Sequence, residues 1–122
     1  MSRVNVRYMV EDVEAAVATH HLGFELLSRA GPAFADVARD NLRLLLSGPT
    51  SSAGRPMPDG RRPAPGGWNR IELVVEDIQS EVDRLRAEGV IFRNEIVSGP
   101  GGRQILIDDP SGNPVELFQP AG

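Results

Sequence analysis

Tyr8-Met9-Val10-Glu11-Asp12-Val13 recurs further along the chain as Leu73-Val74-Val75-Glu76-Asp77-Ile78. In both copies a strand-like alternation runs up to an acidic pair, and a helix-like run follows it. Asp12 and Asp77 suit the position before a helix, where a carboxylate accepts from the free N–H groups of the first turn. Val13 and Val17 line the apolar side of the first helix, and Ile78, Val82 and Leu85 that of the second. Gly23 and Gly89 stop the two helices. Phe24-Glu25-Leu26-Leu27 and Val90-Ile91-Phe92 then begin new strands.

Outward from the repeat, two further strands follow in each copy. They run roughly from Ala35 to Arg39 and Leu42 to Ser47, then from Arg103 to Asp108 and Val115 to Gln119. The expected fold class is therefore α+β, with two βαβββ modules forming a curved mixed sheet around a concave ligand cleft. Module one covers about 1–47, a linker about 48–67, and module two about 68–122, within a single domain spanning 1–122. The linker is rich in Pro, Gly, Ser and Arg, the composition of an exposed connection. Its length leaves open whether the modules pair within one chain or exchange between two. The two-module plan and long linker lead us to expect a homodimer.

Composition removes several function classes. The 122 residues, 40% hydrophobic and 25% charged, suit one compact domain. Lys+Arg 13 against Asp+Glu 17 gives a net charge of −4, and no basic run follows a phosphate backbone, so nucleic acid is not an expected partner. With Cys at 0, disulfides, thiolate metal sites and cysteine nucleophiles are excluded. No stretch has the length or apolarity of a signal peptide or membrane span, which leads to an expected cytoplasmic location with no membrane partner. Gly99-Pro100-Gly101-Gly102 lacks the Lys-Ser/Thr of a phosphate loop and reads as a hairpin connection.

Strand parity separates the core from a candidate ligand face, because successive side chains in a strand point to opposite sides. Val4, Val6, Tyr8 and Val10 oppose Asn5, Arg7 and Met9, and Ile71, Leu73 and Val75 oppose Arg70, Glu72 and Val74. Ile105 and Ile107 oppose Gln104 and Leu106, and Val115 and Leu117 oppose Glu116 and Phe118. The apolar faces are expected to meet the helices. The other face gathers Asn5, Arg7, Arg70, Glu72, Gln104 and Glu116 among Met9, Leu106 and Phe118, a mixture suited to a small organic ligand. Trp68, immediately before module two, is placed to stack on a planar ligand or to pack on the linker.

The duplicated βαβββ plan, the paired Val-Glu-Asp helix entries, Leu22-Gly23-Phe24-Glu25-Leu26 and Asp109-Pro110-Ser111-Gly112-Asn113-Pro114-Val115-Glu116-Leu117 together resemble the vicinal oxygen chelate superfamily. That group includes glyoxalase I, bleomycin resistance proteins, extradiol dioxygenases, fosfomycin resistance enzymes and methylmalonyl-CoA epimerase. The resemblance implies that metal-dependent members draw ligands from the first and last strands of each half. Glu116 matches the last-strand carboxylate of the second half, whereas Asn5, Arg70 and Leu44 fall at the other three positions. Leucine has no lone pair, a guanidinium is a cation, and a neutral amide oxygen is a weak ligand.

No metal or other cofactor is therefore expected. Arg70 is read instead as the cation that neutralises Glu116 through two parallel hydrogen bonds, with Arg7 and Glu72 as a possible second pair. His20 and His21 are expected at a shortened helix end, away from the concave face. The resemblance thus points to a metal-independent small-molecule-binding protein of the bleomycin resistance type, sequestering an aromatic or drug-like compound. The alternative is a metal-dependent lyase, isomerase or dioxygenase of the same superfamily, with Glu116 as metal ligand or general base.

Overall fold

A computed structural model of the chain describes residues 3–16 and 22–122. It divides into two compact units, Met1–Pro65 and Gly66–Gly122. In the first, β1 (Val4–Met9), β2 (Glu25–Ala30), β3 (Phe34–Arg39) and β4 (Leu42–Ser47) form a sheet in the order β1-β4-β3-β2. Strand β1 runs parallel to β4, and the other neighbours are antiparallel. A parallel pair cannot be closed by a hairpin, so the chain crosses over through α1 (Val13–Ala16) and two further strands before β4 takes its place.

Alternation supplies the first core. Tyr8, Val10, Val13, Ala16, Phe24, Ala35, Val37, Leu44 and Leu46 are all buried. Each fully buried Val or Leu contributes roughly 1.5–3 kcal/mol relative to exposure, so this face fixes the strand register. Asp12 Oδ1 accepts from the backbone N–H of Glu14 at 3.0 Å, as expected of a residue capping a helix start. The expected helix positions Val17, His20 and His21 lie outside the described residues.

The second unit repeats the plan with β5 (Ile71–Val74), α2 (Ile78–Ala87), β6 (Ile91–Phe92), β7 (Val97–Gly99), β8 (Gly102–Asp108) and β9 (Pro114–Pro120). Its strand order is β5-β9-β8-β6, with β7 also on β8 and β5 parallel to β9. Asp77 caps α2 as expected, accepting from Ser80 N at 3.2 Å and from Ser80 Oγ at 2.8 Å. Ile78, Val82 and Leu85 of α2, which packs on β9, are buried together with Ile105, Ile107, Val115 and Leu117 of the sheet.

Two features differ from the sequence expectation. The strand beginning near Val90 is broken into β6 and β7, because between them the side chain of Asn94 takes the Leu106 N–H at 2.9 Å in place of a backbone carbonyl. The linker is also only partly an exposed connection. Gly48 N donates to Ala33 O at 2.9 Å, and a short 3-10 turn, Ser52–Gly54, folds back so that Gly54 is buried. A Cβ on Gly54 would lie 2.6 Å from Gly48 O, so a glycine is required there. Residues 55–62 are exposed.

Candidate functional site

In each unit one sheet face packs the apolar side chains and the other carries polar groups. On the second unit, register sets Glu72 beside Glu116 and Glu116 beside Leu106, with Val74, Phe118 and Gln104 in the next row. Arg70, just before β5, donates from Nε to Glu116 Oε1 at 2.9 Å and from Nη1 to Trp68 O at 3.4 Å. Glu116 is only 6% exposed, so its charge is taken largely out of water. A carboxylate in that position is costly without a cation, and Arg70 supplies one. The expected pair therefore forms, but through one hydrogen bond rather than two parallel ones, since the guanidinium also serves the Trp68 carbonyl.

Glu72 stands directly beside Glu116 on the neighbouring strand. Hydrogen bonding with Glu116 raises the Glu72 carboxyl above its ordinary value, burial and the Glu116 charge push the same way, and Arg70 opposes them. Glu72 therefore holds a proton more tightly than an isolated glutamate would.

Trp68 is 72% exposed. One side of its ring is covered by the Arg93 guanidinium, 5.0 Å from the ring centre. Arg93 is itself fixed by Asp108 Oδ1 and, at 3.0 Å, by Gly112 O. The turn that delivers β9 is locked by Asp109 Oδ1, which accepts from Ser111 N and Asn113 N, both at 2.8 Å. Asn113 Oδ1 in turn accepts from Gly66 N at 2.7 Å, tying the start of the second unit to this turn.

The first unit holds Asn5, Arg7 and Met9 on one side of β1, opposite Arg43, Leu45 and Ser47 of β4. Arg7 Nη1 donates to Ser47 Oγ at 3.1 Å. Arg7 thus has a partner inside its own unit. Asp36, 2% exposed, lies in the Leu45 row and accepts from Ser28 Oγ and, at 2.7 Å, from Arg43 Nε. Burial pushes the Asp36 carboxyl up, but the Ser28 and Arg43 hydrogen bonds and the Arg43 charge together hold it below its usual value.

The structure brings Arg70, Glu72, Leu106 and Glu116 into contact range, places Gln104 and Phe118 in the adjacent row, and ties Trp68 to Arg70 through its carbonyl. Asn5, Arg7 and Met9 form a second polar set in their own unit. Sequence reading missed Asp36, Arg43, Arg93 and Asp108. Asp36 and Arg43 carried a usable signal, since each interrupts an apolar strand as a lone charge on the non-core parity. Arg93 and Asp108 gave none, because Arg93 follows a two-residue strand and Asp108 closes β8 at a turn.

One placement is corrected. Leu44 does not occupy the position equivalent to Glu116: it is buried on the core face beside Val6. Leu45 pairs with Arg7 as Glu116 pairs with Glu72, and so is the equivalent residue. The β3–β4 hairpin closes on Arg39 and Leu42, directed to the core side, whereas the β8–β9 hairpin closes on Asp108 and Pro114, directed to the polar side. Matching the two turns by sequence therefore shifts the phase by one residue.

The donor set does not fit a divalent ion. Leu45 has no donor atom, and Arg70 is a cation seated on the carboxylate that would ligate. No group of three or more His, Cys, Asp or Glu side chains able to hold a metal occurs among the described residues. Two open depressions of about 270 and 460 Å³ lie instead along the edge of the second unit, both bordered by Arg86 and Glu95, off the polar sheet face.

The sequence matches the model of the Glyoxalase/Bleomycin resistance protein/Dioxygenase superfamily over residues 3–117. The chain belongs to this superfamily. Among solved structures, it is 26% identical to TnmS3, described as an antibiotic binding protein from Streptomyces sp. CB03234, with a TM-score of 0.72 and coverage of 99% of this chain and 98% of that one. TioX from Micromonospora sp. ML1 is 21% identical, with a TM-score of 0.78 and coverage of 99% and 100%. A lactoylglutathione lyase from Agrobacterium tumefaciens is 20% identical, with a TM-score of 0.72 and coverage of 98% and 92%. The last two likenesses concern the fold alone. No curated protein sequence matches the chain significantly. No helix among the described residues is long and apolar enough to cross a membrane.

Proposed function

We propose that the protein binds a small aromatic or drug-like molecule without a metal ion, as a sequestering protein rather than a catalyst. The observation that carries this reading is the Arg70–Glu116 pair, which puts a cation where a metal-dependent relative would need an electron-pair donor. Trp68 offers an exposed ring covered on one side by Arg93, and Leu106, Phe118 and Val74 supply apolar area on the sheet face that carries Glu116. Gln104 adds a polar group that would orient a ligand on this face, and on the first unit Asn5, Arg7 and Met9 form a polar set of their own. The antibiotic-binding description of TnmS3 is consistent with this class of ligand.

The test has two parts. Protein purified without chelators is analysed for metal and titrated with Ni, Zn, Mn and Fe(II). In parallel, quenching of Trp68 fluorescence is measured against a panel of planar aromatic compounds. Weak or absent metal retention with saturable quenching is expected, whereas stoichiometric, tightly held metal overturns the reading.

A further inference from the structure

A second polar cluster stands on the helix side of the second unit, across the sheet from Glu116. On β8, Arg103 has the parity of the buried Ile105 and Ile107. Its neighbour on β9 is Gln119, whose side-chain oxygen accepts from Ile78 N at the start of α2. Arg103 therefore lies on the side that α2 covers. Antiparallel pairing sets Ser98 of β7 directly beside it, and Ile96 has the parity of Ser98. From α2, Gln79, Val82 and Arg86 form one stripe at helical spacing, and they border the depression of about 270 Å³ together with these residues.

The charges in this depression are not balanced. Arg103 is half-buried, yet it makes no hydrogen bond or ion pair with any described residue. A guanidinium has five N–H donors, and withdrawing them from water without an acceptor is unfavourable. Asp77 feels the Arg103 charge, but its carboxyl is held low first by Ser80, and its two oxygens accept from Ser80 N at 3.2 Å and Ser80 Oγ at 2.8 Å. Arg86 lies over the Phe92 ring and has only a loose ionic tie, since Glu95 stands 3.5 Å away and is 89% exposed. Arg86 and Arg103 against Glu95 leave one positive charge in excess among the bordering residues. Val82, itself 1% exposed, and Ile96 supply an apolar wall beside the two cations.

We propose that this depression binds a small monocarboxylate with an apolar body about the size of benzoate. The Arg103 fork and the Ser98 hydroxyl would donate to the carboxylate, Arg86 would add a second cation, and the ring would rest on Val82 and Ile96. A phosphate dianion fits less well, because it brings two charges to an excess of one and has nothing to set against the apolar wall. The site goes beyond the sheet-face reading above and does not depend on it.

The test titrates the isotope-labelled full chain with benzoate, benzamide and acetate and follows amide shifts by NMR. Benzoate is expected to give saturable shifts at Gln79, Val82, Ile96, Ser98 and Arg103, while the Trp68 indole signal stays in place. Benzamide has the ring without the charge and acetate the charge without the ring, and each should bind about tenfold more weakly. Arg103→Gln should weaken benzoate about tenfold, and Arg103→Lys, which keeps the charge without the fork, should lose less. The three wild-type titrations decide the proposal even if a variant fails to fold. Equal affinity for benzoate and either other probe overturns it, as does full benzoate affinity in a folded Arg103→Gln. Shifts that gather at Trp68 and Glu116, or that scatter over surface arginines without saturating, overturn it as well.

Discussion

At Arg70 and Glu116, desolvation decides the energetics. Removing one partner of a fully buried pair costs about 3–5 kcal/mol, but the Arg70 side chain is 31% exposed, so solvent screening reduces the expected cost. Arg70→Ala should lower unfolding stability by about 1–3 kcal/mol in urea titrations. Adding Glu116→Gln to it should recover part of the loss, because the orphaned charge is then gone. Glu72 acts in the opposite sense with pH. Its carboxyl is raised in the folded state, so its contribution is full below the ordinary glutamate value and is lost as pH climbs through the raised one. Stability of the wild type should therefore fall relative to Glu72→Gln over that interval, and thermal melts at stepped pH would record it. Asp36 has the reverse sign: its depressed carboxyl contributes above the ordinary aspartate value, and that contribution is lost on acidification.

At the scale of elements, alternation and capping made most of the strands and α2 readable. Charged residues on the non-core parity of β5 and β9 similarly exposed Arg70, Glu72 and Glu116 as one set. What could not be read was pairing phase: Leu44 and Leu45 are chemically alike, and only the parallel partner strand decides which faces the polar side. The break between β6 and β7 was hidden for a related reason, since an asparagine replacing a backbone acceptor leaves no pattern in the hydropathy. A backbone requirement also appears at Gly102, with φ 145° and Gln119 O only 2.2 Å from where a Cβ would stand. Gly102→Ala should push β8 away from β9 and cost at least about 2 kcal/mol, detectable as a lowered melting temperature. Asp77→Ala, which removes the cap of α2, should cost about 1 kcal/mol in the same assay.

For the whole molecule, the duplicated plan was legible because both copies keep the same strand, acidic pair and helix order. Family membership followed from that order more than from any single residue. The site was legible in part: the charged strand positions were found, whereas the Asp36–Arg43 and Arg93–Asp108 pairs depend on cross-strand geometry. The two-module plan predicts a homodimer at micromolar concentration, and the edge strand β2, exposed along its length with Leu26 and Leu27, is compatible with further burial. Light scattering after size exclusion measures this directly, and a strictly monomeric mass contradicts it.

Trp68 also serves as a reporter. The chain contains one Trp and one Tyr, and they fall in different units, Trp68 in the second and Tyr8 in the first. Each half of the duplication thus carries a private chromophore. Exciting at the red edge of the absorption band addresses the indole alone, while the phenol signal follows the other half, so a single unlabelled sample can reveal whether the two halves melt in step or in succession.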